Sequence, residues 1–206
     1  MKRSNLEFKR RLFKRLIDVL GSCCIIVILS PILLIVAILV GLIEGRPILY
    51  RRRVMGGSGE FDALKFRTMR KDADAVLAAD PELKAAFVEN FKLKLDPRVT
   101  RLGAWLRKYS LDELPQLFNV LVGQMSLVGP RMITVPELEK YGPHKSMLLS
   151  VKPGITGYWQ ISGRQDVSYE ERVRMDFYYI SNWTPGLDIS ILLMTPVKVI
   201  CGKGAY

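Results

Sequence analysis

Asp112 and Glu113 are adjacent carboxylates in the segment Ser110-Leu-Asp-Glu-Leu-Pro-Gln-Leu-Phe-Asn119, and cations flank them along the chain: Arg98, Arg101, Arg107 and Lys108 before, Arg131 after. An ionised carboxylate beside several arginines suits phosphoryl chemistry, in which guanidinium groups and a divalent cation neutralise phosphate oxygens while a carboxylate attacks or coordinates. Mg²⁺ fits a bare carboxylate pair of this kind. The competing reading is local. Ser110 followed three residues later by Glu113 is a capping-box pattern, opening a helix that carries Leu114, Leu117, Phe118 and Leu121, and acids are common in first turns. On this segment alone the capping box ranks above a catalytic pair. His144 is the single histidine, which excludes a site needing two imidazoles, and Cys23, Cys24 and Cys201 make no disulfide framework. Any catalysis must rest on carboxylates and cations.

The elements that would position these groups can be read from periodicity and punctuation. Ile48 to Val54 and Glu60 to Met69 read as two strands joined through Gly56-Gly57-Ser58-Gly59. No Gly-Lys-Ser/Thr follows these glycines and no helix opens there, so a phosphate loop is a poor reading. Lys65 and Arg67 share a face of the second strand at period two; with Arg70 and Lys71 they form either a binding cluster or a solvated edge. Positions 71–91 read as a helical pair broken at Asp80-Pro81. Arg101 to Tyr109 places Leu102, Trp105 and Leu106 on one helical stripe, with Trp105 either in the core or at headgroup depth. Beyond Gly129-Pro130-Arg131 the chain is rich in turns, which puts Arg164 on a loop. Two helices close the sequence, Tyr169 to Trp183 and the nearly all-apolar Leu187 to Ile200, a core or interfacial element.

Composition adds a membrane. The 206 residues carry a net charge of +11 with 49% hydrophobic residues. The two properties separate along the chain: residues 19–43 hold no charge, whereas the first 18 carry seven Lys/Arg against two acids. This pattern excludes a disordered chain, a disulfide-stapled secreted module and a multi-pass protein, and leaves a membrane segment within residues 1–44 and a polar domain over 45–206. A straight helix over the uncharged stretch would reach roughly 37 Å, enough to cross a hydrocarbon core of about 30 Å. Ser30-Pro31 sits at its midpoint, however, and Arg46, Arg51, Arg52 and Arg53 follow it. Proline bends a helix, and basic residues on both flanks belong on one membrane face, so the expected arrangement is a kinked helix that enters and leaves by the same leaflet.

The motifs Leu64-Lys-Phe-Arg-Thr-Met69, Asp96-Pro-Arg-Val-Thr-Arg-Leu-Gly103, Ser110 to Asn119, Met125-Ser-Leu-Val-Gly-Pro-Arg131 and Lys152-Pro-Gly-Ile-Thr-Gly157 occur in one order, and with them the chain resembles the bacterial sugar transferases from about Phe13 onwards. These are monotopic phosphoglycosyl transferases of the polyprenyl-phosphate hexose-1-phosphate type. The resemblance implies an α+β fold, mostly helical, with an N-terminal re-entrant helix kinked at Ser30-Pro31, a small β-hairpin and amphipathic interfacial helices. It implies that Asp112 attacks the β-phosphate of a UDP-sugar, that Asp112 and Glu113 hold Mg²⁺, and that undecaprenyl phosphate accepts the phosphosugar in a ping-pong cycle that releases UMP. Lys65, Arg67, Arg107, Arg131 and Arg164 become the substrate- and phosphate-binding cations, with Asp176 and Asp188 as polar members of the pocket. The implied location is the cytoplasmic face of the bacterial inner membrane, within one leaflet. Nucleic acid is not expected as a partner, and a homodimer is left open. Trp159-Gln160 and Gly204-Ala-Tyr206 resemble members that transfer galactose- or glucose-1-phosphate in exopolysaccharide synthesis. One departure stands out: Met132 follows Arg131 where the family usually has proline.

Overall fold

The computed structural model describes residues 2–57, 59–91, 93, 95–163 and 167–201, with side chains at all of these except 2–9, 89 and 90. Helix α1 runs over Lys2–Leu39 and ends in a π-turn at Val40–Glu44. The helix continues through Ser30-Pro31 without a break. Proline at 31 cannot donate to the Val27 carbonyl, and the Ser30 hydroxyl takes over, donating to that oxygen at 2.8 Å.

Strands β1 (Leu49–Gly56) and β2 (Gly59–Phe66) form the expected antiparallel hairpin, with Arg52 opposite Ala63 and Tyr50 opposite Lys65. Phe61 and Ala63 turn inward to the main core. The pair α2 (Ala73–Ala79) and α3 (Pro81–Asn90) divides at Asp80, whose carboxylate caps α3 by accepting from the Leu83 N–H. Helix α4 (Arg101–Lys108) crosses so close to the chain after β2 that a Cβ on Gly103 would lie 2.1 Å from the Thr68 carbonyl oxygen. Only glycine permits that approach.

Helix α5 (Gln116–Val122) leads to β3 (Ser126–Val128), which pairs in parallel with β4 (Gly154–Thr156). Between these strands lie α6 (Val135–Leu138), a 3₁₀ segment (Glu139–His144) and α7 (Lys145–Leu149); after β4 come α8 (Tyr158–Ser162), α9 (Tyr169–Ser181) and α10 (Pro185–Cys201). The parallel pair was not apparent from sequence, because three-residue strands interrupted by Pro and Gly carry almost no periodicity.

The main core joins Val54, Leu117, Val120, Leu127, Tyr179 and Ile191, with Ile25 and Ile26 of α1 packed against it. A second cluster sets Val36 and Val40, near the other end of α1, against Phe66 and Leu106. Both ends of the apolar segment therefore pack on the polar domain. Apolar side chains also remain exposed: Val27 and Ile28 at the middle of α1, Trp105 on α4, Val122 on α5, and Leu193 and Ile200 on α10. Trp105 is thus not a core residue, and α10 buries one face through Asp188 and Ile191 while leaving an apolar face uncovered. Met132 packs into the main core, 6% exposed, and the neighbouring Ile133 is bridged to Met55.

Candidate active site

The segment holding the carboxylates folds differently from a capping box. Ser110 adopts a left-handed conformation (φ 54°) and its side chain does not cap; Leu111–Glu113 form a single 3₁₀ turn, and α5 begins only after Pro115. The left-handed residue reverses the chain after α4 and turns Asp112 inward, where it is 6% exposed. Glu113 bonds to no backbone cap. Its Oε1 accepts instead from Lys65 Nζ at 2.5 Å, while Asp112 Oδ2 lies 4.0 Å from the same ammonium.

Asn119 fixes this meeting of strand and turn. Its Oδ1 accepts from the Leu64 N–H (2.9 Å) and its Nδ2 donates to the Asp62 carbonyl (2.8 Å), which satisfies the open edge of β2 and docks it on α5. Lys65, the next residue along β2, is thereby held against the carboxylates. From the other side, Arg107 donates through Nε to Thr68 Oγ1 (2.9 Å) and lies within electrostatic reach of Asp112. Arg131 follows β3 and acts on Glu113, with its guanidinium 5.4 Å from the Trp159 ring centre.

These surroundings split the pair. Burial pushes the Asp112 carboxyl above the ordinary aspartate range, and Lys65 and Arg107 only partly oppose it. Burial acts on Glu113 in the same direction, but Lys65, by charge and hydrogen bond, together with Arg131 and Arg52, outweighs it and holds that carboxyl low. Glu113 is thus the firmly ionised member, and Asp112 is the more basic carboxylate, the better nucleophile once ionised. Two adjacent carboxylates, one of them without a close ion pair, also suit Mg²⁺, which takes one or two carboxylates and completes its shell with phosphate and water. Among the described residues no group of three or more His, Cys, Asp or Glu forms a closed protein cage.

The other expected site residues are placed as follows. Arg67 does not share the Lys65 face: β2 ends at Phe66, the alternation stops, and the Arg67 guanidinium caps the π-turn that ends the apolar helix through the Glu44 and Gly45 carbonyls. Asp176 sits across Arg131 from the carboxylates, accepting from Tyr141 Oη (3.0 Å) and the Arg131 N–H (3.4 Å); burial pushes it up to about 7. It lines a cleft with Arg131, Glu137, Tyr141 and Tyr169. Asp188 has a structural occupation, with Oδ1 accepting from Tyr179 (2.7 Å) and Oδ2 from Lys14 (2.6 Å) and Trp183 (3.0 Å), so it ties α10 to the basic arm of α1. Arg164 lies outside the described residues. Sequence reasoning missed Asn119 as the clamp, Thr68 as the Arg107 partner, and Arg52; only for Arg52 was there a readable signal, its place on a strand paired to that of Lys65.

Residues 9–202 match the profile described as bacterial sugar transferase. A UDP-galactose-lipid carrier transferase of Erwinia amylovora is 46% identical over 200 residues, 95% of this chain and 42% of that protein. An undecaprenyl-phosphate galactose phosphotransferase of Salmonella typhimurium is 46% identical over 201 residues, 95% of this chain and 42% of its own length. The exopolysaccharide production protein ExoY of Sinorhizobium fredii is 44% identical over 198 residues, 94% of this chain and 88% of that protein. The chain therefore spans less than half of the Erwinia and Salmonella proteins and most of the Sinorhizobium one. With its fold, its paired carboxylates and this match across nearly its whole length, the chain belongs to the bacterial sugar transferase family.

Proposed function

We propose that the protein moves a sugar-1-phosphate from a UDP-sugar, a UDP-hexose such as UDP-galactose or UDP-glucose, to undecaprenyl phosphate, releasing UMP in the first membrane step of polysaccharide or glycoconjugate synthesis. The observation that carries this reading is the Asp112-Glu113 pair, Asp112 buried and Glu113 half-buried, split in basicity and surrounded by Lys65, Arg107 and Arg131. An Asp112 carboxylate oxygen attacks the donor β-phosphorus. The bond from that phosphorus to the bridging oxygen breaks, and its electron pair leaves with UMP. The phosphosugar then remains on Asp112 as an acyl phosphate until a phosphate oxygen of undecaprenyl phosphate attacks the same phosphorus and frees the carboxylate. Lys65, Arg107 and Arg131, joined by Arg164 on the family resemblance, neutralise the phosphate oxygens as charge builds. Asp112 and Glu113 would hold Mg²⁺, which when bound supplies Lewis-acid neutralisation of the donor phosphates.

Packing supports an arrangement within one leaflet. A straight helix from Lys14 to Val40 is about 39 Å long. Yet Lys14 is bonded to Asp188 and Val128 of the polar domain, and Val40 packs on Phe66 and Leu106 of the same domain. A spanning helix would drag that charged body into hydrocarbon, so the segment enters and leaves by the cytoplasmic leaflet, with Val27, Ile28, Ser30 and Pro31 deepest. The exposed apolar side chains of α4, α5 and α10 rest in the same leaflet.

The test is UMP release by the purified protein with Mg²⁺, undecaprenyl phosphate and a panel of UDP-sugars. One sugar should give turnover, Asp112→Asn should abolish it and Glu113→Gln should nearly do so. UMP exchange without acceptor reports the covalent half-reaction. Full activity of Asp112→Asn would overturn the assignment.

A further inference from the structure

Three arginines stand in a row on β1, and only one turns toward the carboxylates. Arg51 and Arg53 point away, and Arg53 pairs with Glu60 and Asp62 on the exposed face of the hairpin. Arg52 lies on the inward face with Val54, directly opposite the small, buried Ala63. Since Tyr50 is opposite Lys65, Arg52 and Lys65 are diagonal neighbours on one face, a spacing of about 7–8 Å that long side chains close easily. The Arg52 guanidinium lies within electrostatic reach of Glu113 and Arg131. Its nearest partner is Glu137, at 3.7 Å from Nη2 to Oε2, beyond hydrogen-bond distance. That oxygen already accepts from the Thr134 N–H (2.6 Å) and hydroxyl (2.8 Å), so the buried Glu137 is fixed while the arginine fork is not consumed. Among the described residues, the Arg52 guanidinium donates no hydrogen bond to a protein acceptor.

We propose that Arg52 is a further donor-binding residue, contacting the diphosphate of the nucleotide sugar beside Lys65, and that Glu137 is the positioning residue that holds it there. This rests on the transferase reading above. A planar fork held by one loose ion pair is prepared for a bidentate phosphate contact, and the face it shares with Lys65 delivers it to the reacting phosphates.

The test uses the full chain in detergent or lipid nanodiscs. In a two-step cycle, kcat/KM for the UDP-sugar reports only the step that releases UMP, and kcat/KM for undecaprenyl phosphate only the second step. Arg52→Gln should lower the donor value about 10- to 100-fold and leave the acceptor value within about twofold. Arg52→Lys should recover part of the loss. Glu137→Gln should raise donor KM about 3- to 10-fold with kcat unchanged, and Arg51→Gln and Arg53→Gln should match wild type within about twofold. A donor value within twofold of wild type in Arg52→Gln overturns the proposal, as does an equal fall in both values or an equal fall in Arg51→Gln. If wild type released no UMP from any UDP-sugar, the transferase reading would fail first. UMP binding measured by calorimetry would then decide Arg52 alone: at least tenfold weaker binding in Arg52→Gln supports it and equal affinity overturns it.

Discussion

Replacing Lys65 with methionine removes the one ammonium that meets both carboxylates while keeping the length and apolar stem of the side chain. At an effective dielectric near 20, unit charges 2.5 Å apart attract by about 7 kcal/mol, and at 4.0 Å by about 4 kcal/mol. Desolvation of Lys65 and its repulsion from neighbouring cations offset most of this, and breaking one side of a buried pair costs about 3–5 kcal/mol. Arg131 and Arg52 remain near Glu113 in the variant, which puts the expected loss at the lower end, about 3 kcal/mol at about pH 7.5. The pH dependence carries the sharper test. Glu113 is held low in the wild type, so its pairing contributes stability above its unfolded value and loses it only as pH falls through the depressed one. Without Lys65 the unfavourable burial of Glu113 dominates and its carboxyl moves up. Protonation then relieves the stranded charge, and the deficit should shrink by at least half on going from about pH 7.5 to about pH 5. Denaturant unfolding in micelles, followed by tryptophan fluorescence, reads both quantities. A deficit below about 1 kcal/mol at the higher pH, or one that is the same at both, would refute the assignment of Lys65 as the counter-ion of this pair.

Three further outcomes are expected. Asp112→Asn should abolish turnover while leaving the unfolding midpoint at neutral pH equal to or above wild type, because it removes a buried charge that the fold disfavours; a clearly lowered midpoint would show that the carboxylate stabilises the fold. The acid limb of wild-type donor kcat/KM should have its midpoint above 3.8, the ordinary aspartate value, with the rate rising as Asp112 ionises; a limb at or below that value contradicts Asp112 as a raised nucleophile. Single cysteines placed at Arg11 and Arg46 of a cysteine-free variant should react with impermeant reagents from the same side of sealed vesicles, and opposite-side labelling would restore a spanning helix.

How much of the fold is legible in the sequence depends on the range of the interactions that set it. The hairpin, the break at Asp80, α4 and the amphipathic ends follow from local periodicity and punctuation, and the structure returns them within a few residues. The Ser110 segment misled because a capping box needs only a pattern, whereas the left-handed turn there is imposed by α4 docking on Thr68 and by Lys65 arriving from a distant strand. Arg67 misled for a related reason. Period-two facing holds only while the strand continues, and the end of β2 at Phe66 could not be read from residues that all favour strand. The paired acids themselves were visible; their separation in basicity was not, since it arises from burial and from Lys65, Arg131 and Arg52, all distant in sequence.

The docking of α1 also bears on how the protein can be divided. Arg15 donates to the Val120 and Leu121 carbonyls at the end of α5, whose preceding turn carries the carboxylates, and Asp18 accepts from Ser126 and Leu127 on the strand that leads to Arg131. Gly21 lies so close to Leu127 that a Cβ there would come within 2.7 Å of its side chain. Cutting after Glu44 would therefore leave α5 without its cap, β3 without Asp18 and Leu127 open to water. Helix α1 is a load shared by the elements that carry the paired carboxylates and Arg131, so the apolar segment and the candidate site stand or fall as a single unit.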